Sequence, residues 1–87
     1  MREFLSKNCI KQPGTMSFNK YKIEQIAIGD KIYFDDMYTN NQLTQSNFDE
    51  YWKVVAKEGV SLIVNLREKY NCTVDIKDVR HHLPQLP

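Results

Sequence analysis

The sequence is poor in the residues that punctuate or staple a small fold: three glycines, three prolines and two cysteines among 87 residues. Gly14, Gly29 and Gly59 stand far apart, so no glycine-rich loop can wrap a phosphate in backbone N–H groups. Long apolar runs are missing as well. A membrane-spanning helix needs about 20 consecutive apolar residues, and stretches such as Leu62-Ile63-Val64 are soon interrupted. Neither sign of charge dominates, because 12 Lys and Arg against 11 Asp and Glu leave a formal charge of +1. That balance lacks the basic stripe through which nucleic acid is held. Histidine is confined to His81 and His82. Neighbours on a strand point to opposite faces, which denies them one shared metal ion, and no second ligand pair accompanies them at metal-binding spacing. No metal or other cofactor is expected.

Cysteine is too sparse for a disulfide framework. Residues 1–7 contain no continuous apolar segment, so no secretory signal is expected, and Cys9 and Cys72 read as free thiols in a reducing, cytoplasmic setting. Asn71-Cys72-Thr73 matches the N-glycosylation acceptor pattern and is taken as coincidence in such a setting. A cysteine-based phosphoryl-transfer loop needs an arginine six positions after its thiol; Thr15 stands six after Cys9 and Asp78 six after Cys72. Neither thiol fits.

What is present suffices for one modest core: 41% of residues are hydrophobic, and a domain of this size buries roughly 60–65% of its unfolded surface. Residues 1–17, which include the turn dipeptide Pro13-Gly14, read as a loosely held extension; Phe4, Leu5 and Ile10 are its means of adding an edge strand or short helix. Residues 18–87 read as a single small α/β unit. Tyr21 to Ile28 alternates apolar and polar residues apart from a break at Gln25-Ile26, as a half-buried strand does. Gly29-Asp30 is a turn pair, Lys31 to Phe34 favours a strand, Asp35-Asp36 ends it, and Tyr38 to Gln45 reads as a polar loop. A helix is predicted from Asn47 to Glu58. Ser46 is a suitable N-cap with Asp49 three residues on, Phe48, Tyr51, Trp52 and Val55 share one helical face, and Gly59 suits the C′ position. Val60 to Leu66 then reads as a strand covered on both faces, parallel to Ile32–Phe34, with the helix as right-handed crossover. Arg67 to Asn71 is a charged loop, and Val79 to Leu83 supplies a last strand before Pro84.

No complete catalytic site emerges. Asp35-Asp36 suits a cation or acid–base chemistry, yet paired aspartates after a strand more often end it and solvate the loop. Arg67-Glu68-Lys69 reads as a solvated corner, and Phe48, Tyr51 and Trp52 as core. The order of segments nevertheless resembles the leading part of the cysteine-dependent protein phosphatases, of the dual-specificity and tyrosine-specific families. Ile23 to Phe34 is similar to their opening hairpin, Phe48 to Arg67 to their aromatic-rich helix, glycine and "I-V-N-L-R" strand, and Asp78 to Pro84 to the strand ending His-x-Pro. The resemblance covers residues 23–84 and implies the first part of such a domain. The family's His-Cys-x5-Arg segment is absent and nothing matches its general-acid aspartate, so no catalytic residue carries over.

Two functions are therefore expected: a truncated or degenerate phosphatase-like domain with a binding or regulatory role, or an unrelated small α/β interaction module. Both imply a protein partner or self-association, with no nucleic acid and no membrane. Hydrolysis of aryl phosphates is expected to be absent, because that chemistry needs an activated thiolate beside an arginine. A turnover that survives purification and disappears in Cys72→Ser would contradict this.

Overall fold

Alternation with a period of two, which places successive side chains on opposite faces, organises the chain from Lys31 onward. The computed structural model describes residues 9–40 and 42–85. Among them run the strands β1 (Ile10–Lys11), β2 (Lys31–Tyr33), β3 (Tyr38–Thr39), β4 (Trp52–Glu58), β5 (Ser61–Leu66), β6 (Tyr70–Asp75) and β7 (His81–Leu83). The helical pieces are 3-10 turns at Ile23–Gln25, Gln45–Asp49 and Ile76–Asp78. β1 and β3 form a small ladder, and the other five strands form one sheet in the order β6-β5-β4-β2-β7. Every pairing is antiparallel.

The connection from β6 to β7 shapes this sheet. These strands occupy opposite edges, and a flat sheet of five would hold them about 19 Å apart at ~4.8 Å per strand. Residues 76–80 join them, three of the five in a 3-10 turn, where each residue advances only about 2 Å. So short a link forces the sheet to curl into a partly closed barrel. Its concave face carries Ile32, Trp52, Val54, Leu62, Val64 and Val74, each fully buried. The register sets these side chains opposite one another, as in Ile32 against Trp52, Val54 against Val64 and Leu62 against Val74. Beside them the Phe34 ring lies 5.2 Å from Trp52 and 5.7 Å from both Tyr38 and Phe48.

This architecture corrects the α/β expectation. The predicted helix over Asn47–Glu58 is a 3-10 turn, Gln45–Asp49, followed by β4. Its four-residue apolar face does not exist, since Phe48 and Trp52 are buried whereas Tyr51 and Val55 are each 42% exposed. A β-bulge explains the misleading pattern. The register with β5 shifts between Val54 and Ala56, and a bulge inserts one extra residue. Trp52 and Val54 face the core before it, and Lys57 stands opposite buried Leu62 after it. An interrupted period of two therefore imitates a helical spacing.

Other corrections follow from the same topology. β5 is not covered on both faces: Leu62, Val64 and Leu66 are buried while Ser61, Ile63 and Asn65 are half-buried. Its partners are β4 and β6, both antiparallel, so no crossover exists among the described residues. Gly59, at φ +60°, sits in the two-residue β4–β5 turn between the paired Glu58 and Ser61. That turn needs a left-handed first residue, which glycine adopts without steric cost. Tyr21 to Ile28 holds a 3-10 turn in place of a strand, and β6 occupies a stretch assigned partly to a loop. The two cysteines, read as free thiols, form a disulfide with Cα atoms 4.9 Å apart, a spacing suited to such a bond. Within the segment read as a loosely held extension, Cys9 is bonded to Cys72 of β6 and Ile10–Lys11 pair with β3; Phe4 and Leu5 fall outside the described residues.

Trp52 fills the barrel centre and its Nε1–H donates to the Asn47 carbonyl at 3.0 Å. Trp52→Ala is expected to cost about 3–5 kcal/mol, typical of truncating a buried aromatic. Exposed Lys53 changed to Ala should stay within about 0.5 kcal/mol. Urea melts followed by circular dichroism check the pair, and equal small effects would be incompatible with this core.

Candidate binding surface

The convex side of the barrel carries an aromatic row assembled from three neighbouring strand segments. In β2, Ile32 and the following Phe34 turn inward, so Tyr33 between them faces out. Register places His81 of β7 opposite Tyr33, and Tyr51 just precedes Trp52, the partner of Ile32. The Tyr33 ring consequently lies 5.7 Å from both the Tyr51 and the His81 rings. The Arg80 guanidinium stands 5.9 Å from the Tyr33 ring and 5.8 Å from Phe18, within cation–π range.

Beside this row the connection of residues 34–51 supplies carboxylates. Arg80 Nη1 donates to both oxygens of Asp35, at 2.9 and 3.1 Å. The 3-10 turn Gln45–Asp49 completes an open pocket of about 280 Å³ lined by Tyr33, Asp35, Asp36, Gln45, Phe48, Asp49 and Arg80. Three carboxylates face one guanidinium there. With Asp35 already paired, Asp36 and Asp49 remain; neither has an ion-pair partner among the described residues. The turn itself is held locally, Asn47 Oδ1 accepting from the Thr44 N–H at 2.6 Å and Asn47 N–H donating to the Thr44 carbonyl at 3.0 Å.

Two buried carboxylates hold the scaffold behind the surface. Asp78, without exposure, accepts from Tyr38 Oη at 2.5 Å, Ser17 Oγ at 2.7 Å and Lys11 Nζ at 3.0 Å. Burial alone would raise its carboxyl, but these three donors together outweigh burial and hold it below the ordinary carboxylate value. The same burial, with the anion beside it, pushes the Tyr38 phenol up. Asp30 accepts the Ala27 N–H at 2.9 Å, the Gln85 N–H at 2.8 Å and His82 Nε2 at 2.8 Å. Here too the donors overcome burial and lower the carboxyl.

The sequence candidates are thus dispersed. His81 and His82 take opposite faces, one on the aromatic row and the other on buried Asp30. Asp35 and Asp36 share the pocket with Asp49. Arg67 sits at the β5–β6 turn, paired with Glu50, and the cysteines form a bridge remote in sequence. Among the described residues no group of three or more His, Cys, Asp or Glu could hold a metal ion, and no helix is long and apolar enough to cross a membrane. Tyr33 and Arg80 were not singled out in the sequence, where Tyr33 reads only as a strand former. No protein-family model, curated protein or solved structure matches the chain.

Asp30 and Asp78, both lowered, contribute stability that is present above the unfolded carboxylate pKa of about 4 and lost as pH falls through the folded values. Urea midpoints should therefore drop as pH falls below about 4. In Asp78→Asn the unfolding free energy should already be lower at pH 6, by roughly 1.5–3 kcal/mol for charged hydrogen bonds, and its acid dependence shallower. An acid limb identical to that of the parent protein would contradict this assignment.

Proposed function

We propose that the chain is a non-catalytic protein-interaction module that binds an extended, basic peptide segment along the Tyr51–Tyr33–His81 row. The observation that carries this reading is an aromatic row on the convex face, continuous with a pocket whose Asp36 and Asp49 carboxylates have no ion-pair partner among the described residues. Aromatic grooves take extended segments, proline-containing ones above all, by ring contact at low ordering cost. Carboxylates beside the rings favour a lysine or arginine there, and Tyr faces add cation–π attraction. The partner's positive charge also speeds encounter.

This reading favours the interaction-module expectation over the phosphatase-like one. The latter leaned on a strand–helix–strand over residues 31–66, where β2, β4 and β5 are antiparallel neighbours. A cytoplasmic location belongs to the proposal alone. Its sequence argument relied on free thiols, so in that compartment the bridge would stand open or closed according to the local thiol balance.

Screening a display library of lysine- and arginine-bearing extended peptides against the purified chain, followed by calorimetric titration, tests the reading. Tyr33→Ala is expected to weaken a selected peptide by about tenfold or more, as for a central aromatic anchor. Asp36→Asn combined with Asp49→Asn should weaken it and flatten its salt dependence. Absence of any basic ligand, or indifference to Tyr33→Ala, would remove the proposal.

A further inference from the structure

We infer that the Cys9–Cys72 disulfide is a thiol-operated latch: closed, it clamps residues 9–19 onto the barrel and braces the acidic wall of the binding surface; open, it releases both. The inference deepens the proposed function and rests on it for its effect on binding, while release of the segment stands by itself.

Residues 9–19 form a strap held at a few points. Cys9 is bonded to Cys72 at the centre of β6. Ile10 and Lys11 pair with Thr39 and Tyr38, and the Gln12 N–H donates to the Met37 carbonyl at 2.7 Å. Lys11 and Ser17 reach the Asp78 carboxylate, and the N–H groups of Phe18 and Asn19 both donate to the Lys77 carbonyl at 2.9 Å. All the strap's ladder bonds go to residues 37–39, immediately after Asp35 and Asp36. The strap and that wall are also the two sides of one depression, lined by Gln12, Thr15, Met16, Asp35, Asp36 and Met37. Among residues 9–19 Cys9 is the one fully inside the apolar core, with half-buried Phe18 packed against it, and none of the five barrel strands includes a strap residue. Opening the bond therefore frees the strap while leaving the barrel's own ladders in place.

The chemistry is ordinary thiol exchange with a dithiol reductant. A thiolate of the reductant attacks Sγ of Cys9, the less deeply buried of the two residues at 8% exposure against 1% for Cys72, and Cys72 leaves as a thiolate that takes up a proton. The reductant's second thiolate then displaces Cys9, which is protonated in turn. The protein gains two electrons and two protons, and the reductant ends as a disulfide. Without its covalent anchor, the strap keeps only a ladder of two residues per strand, too short to persist alone, and the polar bonds of Lys11 and Ser17 to Asp78 and of Phe18 and Asn19 to Lys77, which water can replace once the strap lifts. Its departure removes the Lys11 ammonium and Ser17 hydroxyl from Asp78 and unpairs residues 37–39.

The full chain, oxidised or treated with dithiothreitol, provides the test, alongside Cys9→Ser and Cys72→Ser. Free-thiol titration assigns the state, and brief trypsin digestion reads the strap through cleavage after Lys11. The reduced protein and both variants are expected to be cut there at least about tenfold faster than the oxidised one, with far-UV circular dichroism retained. A selected basic peptide should bind the reduced form more weakly, and Cys9→Ser should bind alike with and without reductant. Equal protection of Lys11 in oxidised, reduced and variant forms would overturn the latch. So would strap release with unchanged peptide affinity, because the brace on the wall would then be absent. If neither form binds any basic peptide, the proposed function fails and the digestion alone decides on the latch. A Cys72→Ser chain that fails to fold leaves the decision to Cys9→Ser and to the reduced parent.

Discussion

The Asp78 carboxylate is the interaction on which the arrangement of the loops depends. A carboxylate without exposure is tolerated only when its lone pairs are filled, and its donors come from separate places: Lys11 and Ser17 from the strap, Tyr38 from the long connection after β2. Asp78 itself ends the 3-10 turn that leads to β7. One anion thereby ties together the segment before the barrel, the connection after β2 and the link that curls the sheet. Tyr38 adds a second stitch by accepting the Asp75 N–H at 3.0 Å. Asp30 has the equivalent role at the opposite end of β2, gathering Ala27, His82 and Gln85 around one carboxylate.

Division of labour among the aromatics follows from this frame. Phe34, Phe48 and Trp52 turn inward into the core, whereas Tyr33 and Tyr51 occupy the alternate positions outside. Core and outer surface are thus built from adjacent residues of the same strands, which alternate between the two faces. His81 completes the outer row only because β7 returns to pair with β2. Closure of the barrel is thus what brings the surface together.

A minority of the strand residues was legible in the sequence. Lys31–Tyr33, Ser61–Leu66 and His81–Leu83 fall where strand-forming residues indicated them, and Trp52 was recognised as a core residue through a mistaken helix. The error has a single physical source, since the Val55 bulge breaks the alternation of β4 at the point where helical spacing offers itself instead. Without the helix there is no crossover, and without the crossover no parallel pairing. The aromatic row was illegible for another reason: Tyr33, Tyr51 and His81 meet only through sheet order, which no local pattern encodes. Pairing of Cys9 with Cys72, 63 positions apart, was hidden in the same way.

That bridge also governs how the molecule would respond to a pulling force. With the bond closed, tension applied between Cys9 and Gln85 passes directly from Cys9 to Cys72 and bypasses β1 to β5 altogether. Only the stretch from Cys72 to Gln85 can then be drawn out, on the order of 45 Å of extended chain. With the bond open the whole described chain lies in the path, on the order of 260 Å. The closed form therefore confines extension to the β6–β7 end of the barrel, and reduction converts the same protein into one that lengthens several-fold under tension.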